Sequence, residues 1–248
     1  MKFGKLAKVN DGHYRTLQLG KYLDSASPYV LPMASENLSR VLTVTGGTVA
    51  NLFPMDGNDT LGDCTIAALA HIITMIYAFL GRTVIPAISD VEALYYQLTG
   101  GPDSGLDMLT VCNYIRQSGW LGEKPVLAFA EVDIKDHYLV QRAISLFGFL
   151  YAGFVVPQYC INQFNSGGPW TKGPLTNDGH CVPLVDYNRS TGLLTALTWG
   201  SEVGATEPWF TECVDEAYVL IPAEAAVSGY IPGFNSEQLL ADLAIVTA

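Results

Sequence analysis

Apolar residues run almost without a break from Cys64 to Leu80, interrupted by His71 and Thr74, between the turn-forming run Asn58-Asp59-Thr60-Leu61-Gly62 and Gly81. A stretch apolar on every side predicts a helix buried all round, over about 63–80, with Gly81 as its stop. It is 17 residues long and has Arg82 as its one basic flank, so it reads as a core helix rather than a membrane span. Helical patterns follow over about 90–98 and 106–118, ended by Gly100-Gly101-Pro102 and Gly119. A strand is expected over 125–132, a helix over 134–146, and a buried strand in the apolar run 149–156. Strand-like segments return at 179–187, 193–199 and 217–221, the first two joined by the turn Asn188-Arg189-Ser190-Thr191-Gly192. A short amphipathic helix over 236–244 closes the chain. Helices first and mostly antiparallel strands afterwards make an α+β pattern.

Residues 1 to about 45 carry no sustained period. Turn signals at Asn10-Asp11-Gly12 and scattered basic residues (Lys2, Lys5, Lys8, Arg15, Lys21) suggest an arm laid over the domain. The expected organisation is this arm, 1–45, and one domain, 46–248. The domain divides into a helical half at about 55–120, a sheet half at about 124–225 and the tail helix, with a cleft between the halves.

Composition narrows the function classes. Of 248 residues, 49% are hydrophobic and 15% charged, which fits a compact globule and not a disordered chain. Thirteen basic against 24 acidic residues give a net charge of -11, so neither nucleic acid nor an anionic membrane is an expected partner. Five cysteines at irregular spacing, none in a C-x-x-C pair, argue against a disulfide framework. No metal site and no cofactor are expected.

One of the five stands apart. Cys64 falls at the first turn of the buried helix, where backbone N–H groups favour an anion and bias a thiol towards thiolate. A thiol nucleophile needs a base, most often histidine. His71 is two turns along the same helix, about 10 Å by helical rise, and reads as a satisfied core residue. His13 lies in the arm, and His137 sits beside Lys135 and Asp136 on a surface helix. His180 is the remaining candidate: it opens a strand of the sheet half behind the Gly- and Pro-rich stretch 173–179. A helix start in one half and a strand start in the other meet across a cleft.

Gly62-Asp63-Cys64, Gly179-His180-Cys181-Val182 and Thr198-Trp199-Gly200 together resemble the landmarks of papain-like cysteine peptidases. That resemblance implies a helical half with a buried central helix packed on an antiparallel sheet half. It implies Cys64 as nucleophile, His180 as base, Asn58 (six residues before the cysteine, where the family has Gln) as an oxyanion donor, and Trp199 as a shield. The family's Asn, which orients the histidine, falls here at Leu197 or Thr198. Leucine cannot orient an imidazole, so Thr198 is the candidate third member. Asp186 is about 20 Å from His180 by strand rise. Asp63 is a good N-cap residue, but its charge opposes thiolate formation. The string from Pro54 to His71, with its Gly57-Asn58-Asp59 and Gly62-Asp63-Cys64-Thr65, also resembles uncharacterised proteins of bacteria and their phages, as do Thr198-Trp199-Gly200 and Asp215-Glu216-Ala217-Tyr218. Met1-Lys2-Phe3-Gly4-Lys5 has no apolar run behind it, so no signal peptide is read, and a cytoplasmic or virion-associated site is expected ahead of secretion.

The resemblance implies a peptidase or amidase acting on a peptide or protein substrate. It requires the Cys64 sulfur within about 4 Å of a His180 ring nitrogen, with Asn58 facing the same cavity. Two alternatives stay open: a catalytically degenerate papain-like binding or structural module, and acyl transfer of the transglutaminase type, which wants an Asp against the far nitrogen of His180. Trp170 and the Tyr95-Tyr96 pair are candidates for a substrate groove, though ordinary packing is the stronger reading for them.

Overall fold

The computed structural model describes residues 1–9, 16–24, 29–227 and 229–246. His13 and the turn signals at Asn10-Asp11-Gly12 lie outside them. A seven-stranded sheet runs in the order β1-β2-β7-β3-β4-β5-β6. Its strands are β1 (Leu17–Gln18), β2 (Val126–Glu131), β3 (Leu150–Pro157), β4 (Leu175–Asn188), β5 (Leu193–Thr198), β6 (Ser201–Thr206) and β7 (Val214–Pro222). Among the described residues, only the short β1 is a strand parallel to its neighbour; the other strand pairs are antiparallel. The helices are α1 (Asn37–Thr45), α2 (Val49–Leu52), α3 (Cys64–Phe79), α4 (Ile88–Thr99), α5 (Met108–Ser118), α6 (His137–Phe147), α7 (Cys160–Asn165), α8 (Glu207–Cys213) and α9 (Ser236–Val246).

Side chains alternate across a strand, and the alternation here divides the core in two. Phe149, Tyr151, Cys181, Val185, Tyr218 and Leu220 pack with α3, α4 and α5. Leu150, Ala152, Val182, Leu184, Val219 and Ile221 pack with α6, α8 and α9 on the opposite face. Helix α3 has every residue from Cys64 to Ala78 buried, which is what a segment apolar all round demands. Among the described residues no helix is long and apolar enough to cross a membrane.

The structure differs from the sequence expectation in several places, the short β1, α2 and α7 among them. Helix α1 forms inside the segment read as an irregular arm; its Leu38 and Val41 are buried at helical spacing, and Asp186 accepts from the Asn37 and Leu38 N–H groups at its start. Strand β4 begins at Leu175, so His180 sits within the strand rather than at its opening. Strand β6 and helix α8 were not expected; α8 starts on a Thr206 cap, with Pro208 in its first turn. Asp63 occupies the N-cap position of α3, but its side chain makes no capping hydrogen bond. All five cysteines are free and buried.

Candidate active site

Two secondary structures bring the chemistry together. Helix α3 lies across the face of β4, so its first residue, Cys64, meets the strand that carries His180. The loop before α3 is pinned from behind: His71 Nε2 lies 3.0 Å from the Pro54 carbonyl oxygen and 3.2 Å from Asp56 Oδ2. His71 is therefore a buried residue whose Nε2 fixes the approach to Cys64, while its Nδ1 has no partner among the described residues. His137 is half-buried against Phe210 and lies 3.3 Å from Thr211 Oγ1.

His180 is held on all sides. Its Nε2 lies 3.0 Å from Thr198 Oγ1, at the end of the neighbouring strand β5. Trp199 stacks on the ring at 4.9 Å and 20°, while Phe154 and Phe3 meet it edge-on at 5.5 Å. Trp199 reaches this position because Trp199 and Gly200 form a two-residue hairpin loop between β5 and β6, both with positive φ (51° and 74°). A tryptophan in the left-handed region costs about 1–3 kcal/mol, a strain held by its burial against Phe164 and Trp170. The other ring nitrogen, Nδ1, has no hydrogen-bond partner among the described residues.

Cys64 and His180 line one small cavity of ≈ 10 Å³, with Asn58, His71, Cys181, Thr198 and Trp199. That is room for about one water molecule. No hydrogen bond joins the thiol to the imidazole in this closed arrangement, and both groups are neutral. Burial pushes the Cys64 thiol up to about 11, against backbone hydrogen bonds from Gly4, Cys181 and Lys5 that favour the anion. Burial alone drives the His180 ring down to about 3. Asp63 is less of an obstacle than its formal charge implies, because burial raises its carboxyl to about 7 despite a hydrogen bond from Asn58. Trp199 Nε1 donates to Asn58 Oδ1 at 2.9 Å, which aims the amide nitrogen the other way. That nitrogen donates to Lys2 O at 3.1 Å, Asp63 Oδ1 at 3.2 Å and Leu61 O at 3.3 Å.

The chain's own residues 1–6, which sequence reasoning placed over the domain, run inside the cleft beside Cys64 and His180. Lys2 N–H donates to Asn58 O at 2.8 Å, Lys5 N–H to Gly179 O at 3.0 Å, Leu106 N–H to Gly4 O at 2.9 Å and Leu6 N–H to Leu106 O at 3.0 Å. Glycines make this close passage possible. A Cβ on Gly4 would overlap the Gly62 carbonyl, one on Gly105 the Gly4 carbonyl, and one on Gly179 the Lys5 carbonyl. Asp103 braces one wall, accepting from Gly62 N–H at 2.9 Å and Tyr95 Oη at 2.6 Å, and Gly105 N–H donates to Tyr95 Oη at 2.9 Å. Tyr95 thus shapes the cleft from beneath, whereas Trp170 is fully buried between Phe154 and Trp209.

Comparison with solved structures places this architecture. The chain is similar to xylellain, a cysteine protease from Xylella fastidiosa, at 14% identity over 88% of this chain and 95% of that one, with a TM-score of 0.67. It is similar to proCathepsin B S9 from Trypanosoma congolense at 10% identity, covering 89% and 86% of the two chains, with a TM-score of 0.63. Digestive procathepsin L 3 of Tenebrio molitor larval midgut matches at 13% identity over 90% and 75%, with a TM-score of 0.57. No protein-family model and no curated protein sequence matches. At such identities the likeness is one of fold, and the fold is papain-like α+β.

Proposed function

We propose that this chain is a papain-like cysteine peptidase or amidase, with Cys64 as nucleophile and His180 as its base. The observation that carries this reading is the partition of the imidazole. One nitrogen is tied to Thr198 and the other has no partner among the described residues, on a ring that lines one cavity with Cys64. One neighbour in fold, xylellain, is named as a cysteine protease, which supports the same reading.

In the reaction, His180 takes the Cys64 proton as the sulfur attacks the substrate carbonyl, forming the S–C bond and an oxyanion. The backbone N–H of Cys64 and the Asn58 amide hold that oxyanion. Lys2 O, Asp63 Oδ1 and Leu61 O share the two Asn58 N–H groups in the closed chain, so departure of residues 1–6 leaves that amide with one competing acceptor fewer. The protonated His180 gives its proton to the leaving amine as the C–N bond breaks. Water then attacks the thioester, its proton passing to His180 and back to the departing sulfur. Thr198 acts as a positioning residue. Its hydroxyl accepts from or donates to Nε2 and so accommodates either tautomer, whereas an amide oxygen would accept only. Trp199 keeps water off the ring.

A second reading, a non-catalytic module of the same fold, has one observation behind it: the thiol is sealed and fully protonated at neutral pH. One experiment separates the two. The full chain and its Gly4→Val variant, whose new Cβ forces residues 1–6 off Gly62, are treated with an epoxide thiol trap and assayed on fluorogenic peptides. Peptide mapping that finds Cys64 as the first thiol labelled in the variant, together with hydrolysis lost in Cys64→Ala, supports the hydrolase. Labelling of Cys64 no faster than of Cys112, without hydrolysis, removes it.

A further inference from the structure

Lys5 is the most deeply buried cation in the cleft, 5% exposed, and it does not contribute to the chemistry above. Its backbone crosses the thiol, as the hydrogen bonds from Gly4 and Lys5 to Cys64 require. Its side chain turns into a pocket beside the thiol. The stem passes over Gly153 and against Met108, and a Cβ on Gly153 would overlap both Lys5 Cε and the Met108 sulfur. The ammonium ends 3.0 Å from Glu216 Oε1 and 2.9 Å from Asp215 Oδ2. Tyr218 Oη donates to the other Glu216 oxygen at 3.0 Å. Glu216 is 2% exposed, on the strand phase that otherwise points Tyr218 and Leu220 into the apolar core.

A carboxylate on an apolar strand phase is costly to bury unless a cation meets it. Here the cation is supplied by a segment that enters the cleft as an extended peptide, held by main-chain hydrogen bonds to Gly179 and Leu106 on its two sides. Those main-chain partners are indifferent to side-chain identity; the pocket is not. Burial lowers the ammonium's tendency to stay protonated, and Glu216 and Asp215 more than restore it, so the Lys5 group stays charged.

We propose that the pocket formed by Gly153, Met108, Asp215 and Glu216 is a specificity pocket for a basic side chain, and that the substrate is a peptide bearing Lys or Arg close to the bond attacked by Cys64. On this assignment Lys5 occupies the pocket as a surrogate for the substrate. The assignment rests on the hydrolase reading for the word substrate, but the recognition itself is tested without turnover.

The full chain carrying Gly4→Val is titrated with a fluorescent synthetic copy of residues 1–6, and with copies in which Leu or Glu replaces the lysine at the fifth position. Lys5→Glu, which sets like charges face to face, is a second way of opening the cleft should Gly4→Val fail to fold. The lysine peptide is expected to bind at least about tenfold more tightly than the leucine peptide and about a hundredfold more tightly than the glutamate peptide. Adding Glu216→Gln is expected to reduce the lysine-to-leucine ratio by about tenfold or more. Equal affinities, or a ratio unmoved by Glu216→Gln, overturn the pocket assignment. Amide substrates bearing the same three side chains separate the two readings. Turnover that prefers leucine or glutamate overturns the pocket and leaves the hydrolase standing. Ordered binding with neither turnover nor Cys64 labelling upholds the pocket and removes the hydrolase.

Discussion

Cys64 with His180 and Lys5 with Glu216 are two polar pairs in one cleft, all four side chains nearly free of solvent, yet one pair is neutral and the other charged. Desolvation acts on both in the same direction, against charge. Around the first pair no opposite charge offsets it, and the backbone hydrogen bonds to Cys64 are too weak to do so: the thiol rises to about 11 and the ring falls to about 3. Around the second, opposite unit charges stand 3.0 Å apart, with Asp215 as a second anion and the Tyr218 hydroxyl as a donor. The same segment causes both states. Phe3 and the Gly4-Lys5 backbone keep water from the thiol and imidazole, and the Lys5 ammonium anchors that segment through its charge. Were residues 1–6 to leave, the roles would exchange: Cys64 and His180 would gain water, and Glu216 would lose its cation.

The largest expected effect tests whether the neutral pair is the reactive one. In the Gly4→Val background, Cys64→Ala and His180→Ala are each expected to lower kcat/KM for a lysine-containing amide by about 10⁵-fold, and the double variant by little more, since a nucleophile and its base act as a unit. Additive losses would mean that the two residues do not work together.

The charged pair is tested next. Replacing Lys5 by methionine keeps the stem and removes the ammonium, leaving Glu216 buried without a cation and with the Tyr218 hydroxyl as its donor. Breaking a buried pair on one side costs about 3–5 kcal/mol, and the lower end applies here because Asp215 is about a third exposed and rehydrates. Thermal denaturation should fall accordingly, and Glu216→Gln in the Lys5→Met chain should recover part of the loss. A Lys5→Met chain as stable as the parent would show that the ion pair does not anchor the segment.

Opening the cleft should bring the two pairs' properties closer together. With Gly4→Val, the Cys64 thiol moves from about 11 towards its ordinary 9.0, so its thiolate fraction at pH 7 and its alkylation rate rise about a hundredfold. The linked effect on stability has a definite sign. In the closed chain the His180 ring titrates near 3 against 6.5 when unfolded, so the unfolded chain binds the proton first. Its contribution to stability is whole above about pH 6.5 and is lost as pH falls towards 3. The Cys64 thiol works the other way: its contribution is whole below about pH 9 and is lost as pH rises through 11. Urea denaturation across pH should show both flanks in the parent chain and narrower ones in Gly4→Val.

Much of the framework was legible because its causes are local. Helix α3 announces itself by being apolar on every side, and the Thr198-Trp199-Gly200 landmark sits where a two-residue hairpin loop ends a strand. The anchoring of His180 by Thr198 followed from resemblance and not from spacing, since the two meet across neighbouring strands. Residues 1–6 were not legible as a cleft occupant. Their docking depends on missing side chains at Gly62, Gly105, Gly153 and Gly179, far apart in sequence, and no period records that. One signal was available: Glu216 breaks the apolar phase of β7, and a lone acid on a buried strand face asks for a cation. Helix α8 also had its signal, in Thr206 followed by Pro208, but Gly204 in the preceding strand masked it.

The smallest expected effect concerns how the neutral pair is held. Thr198→Val removes the one hydrogen bond to Nε2 while keeping the shape of the side chain, so the ring keeps its place between Trp199 and Phe154 but loses the preference for presenting Nδ1 to the sulfur. In the Gly4→Val background kcat should fall about tenfold with KM nearly unchanged, because the bond acts on the proton transfer and not on peptide binding. Thr198→Ser should restore it, since the hydroxyl alone is what the ring requires. The lysine-to-leucine preference set by Glu216 should not move in either variant. A change in that preference would couple the two pairs through the sheet. A Thr198→Val enzyme with full kcat would mean that aromatic packing alone orients His180, and the threonine would then be no more than a neighbour.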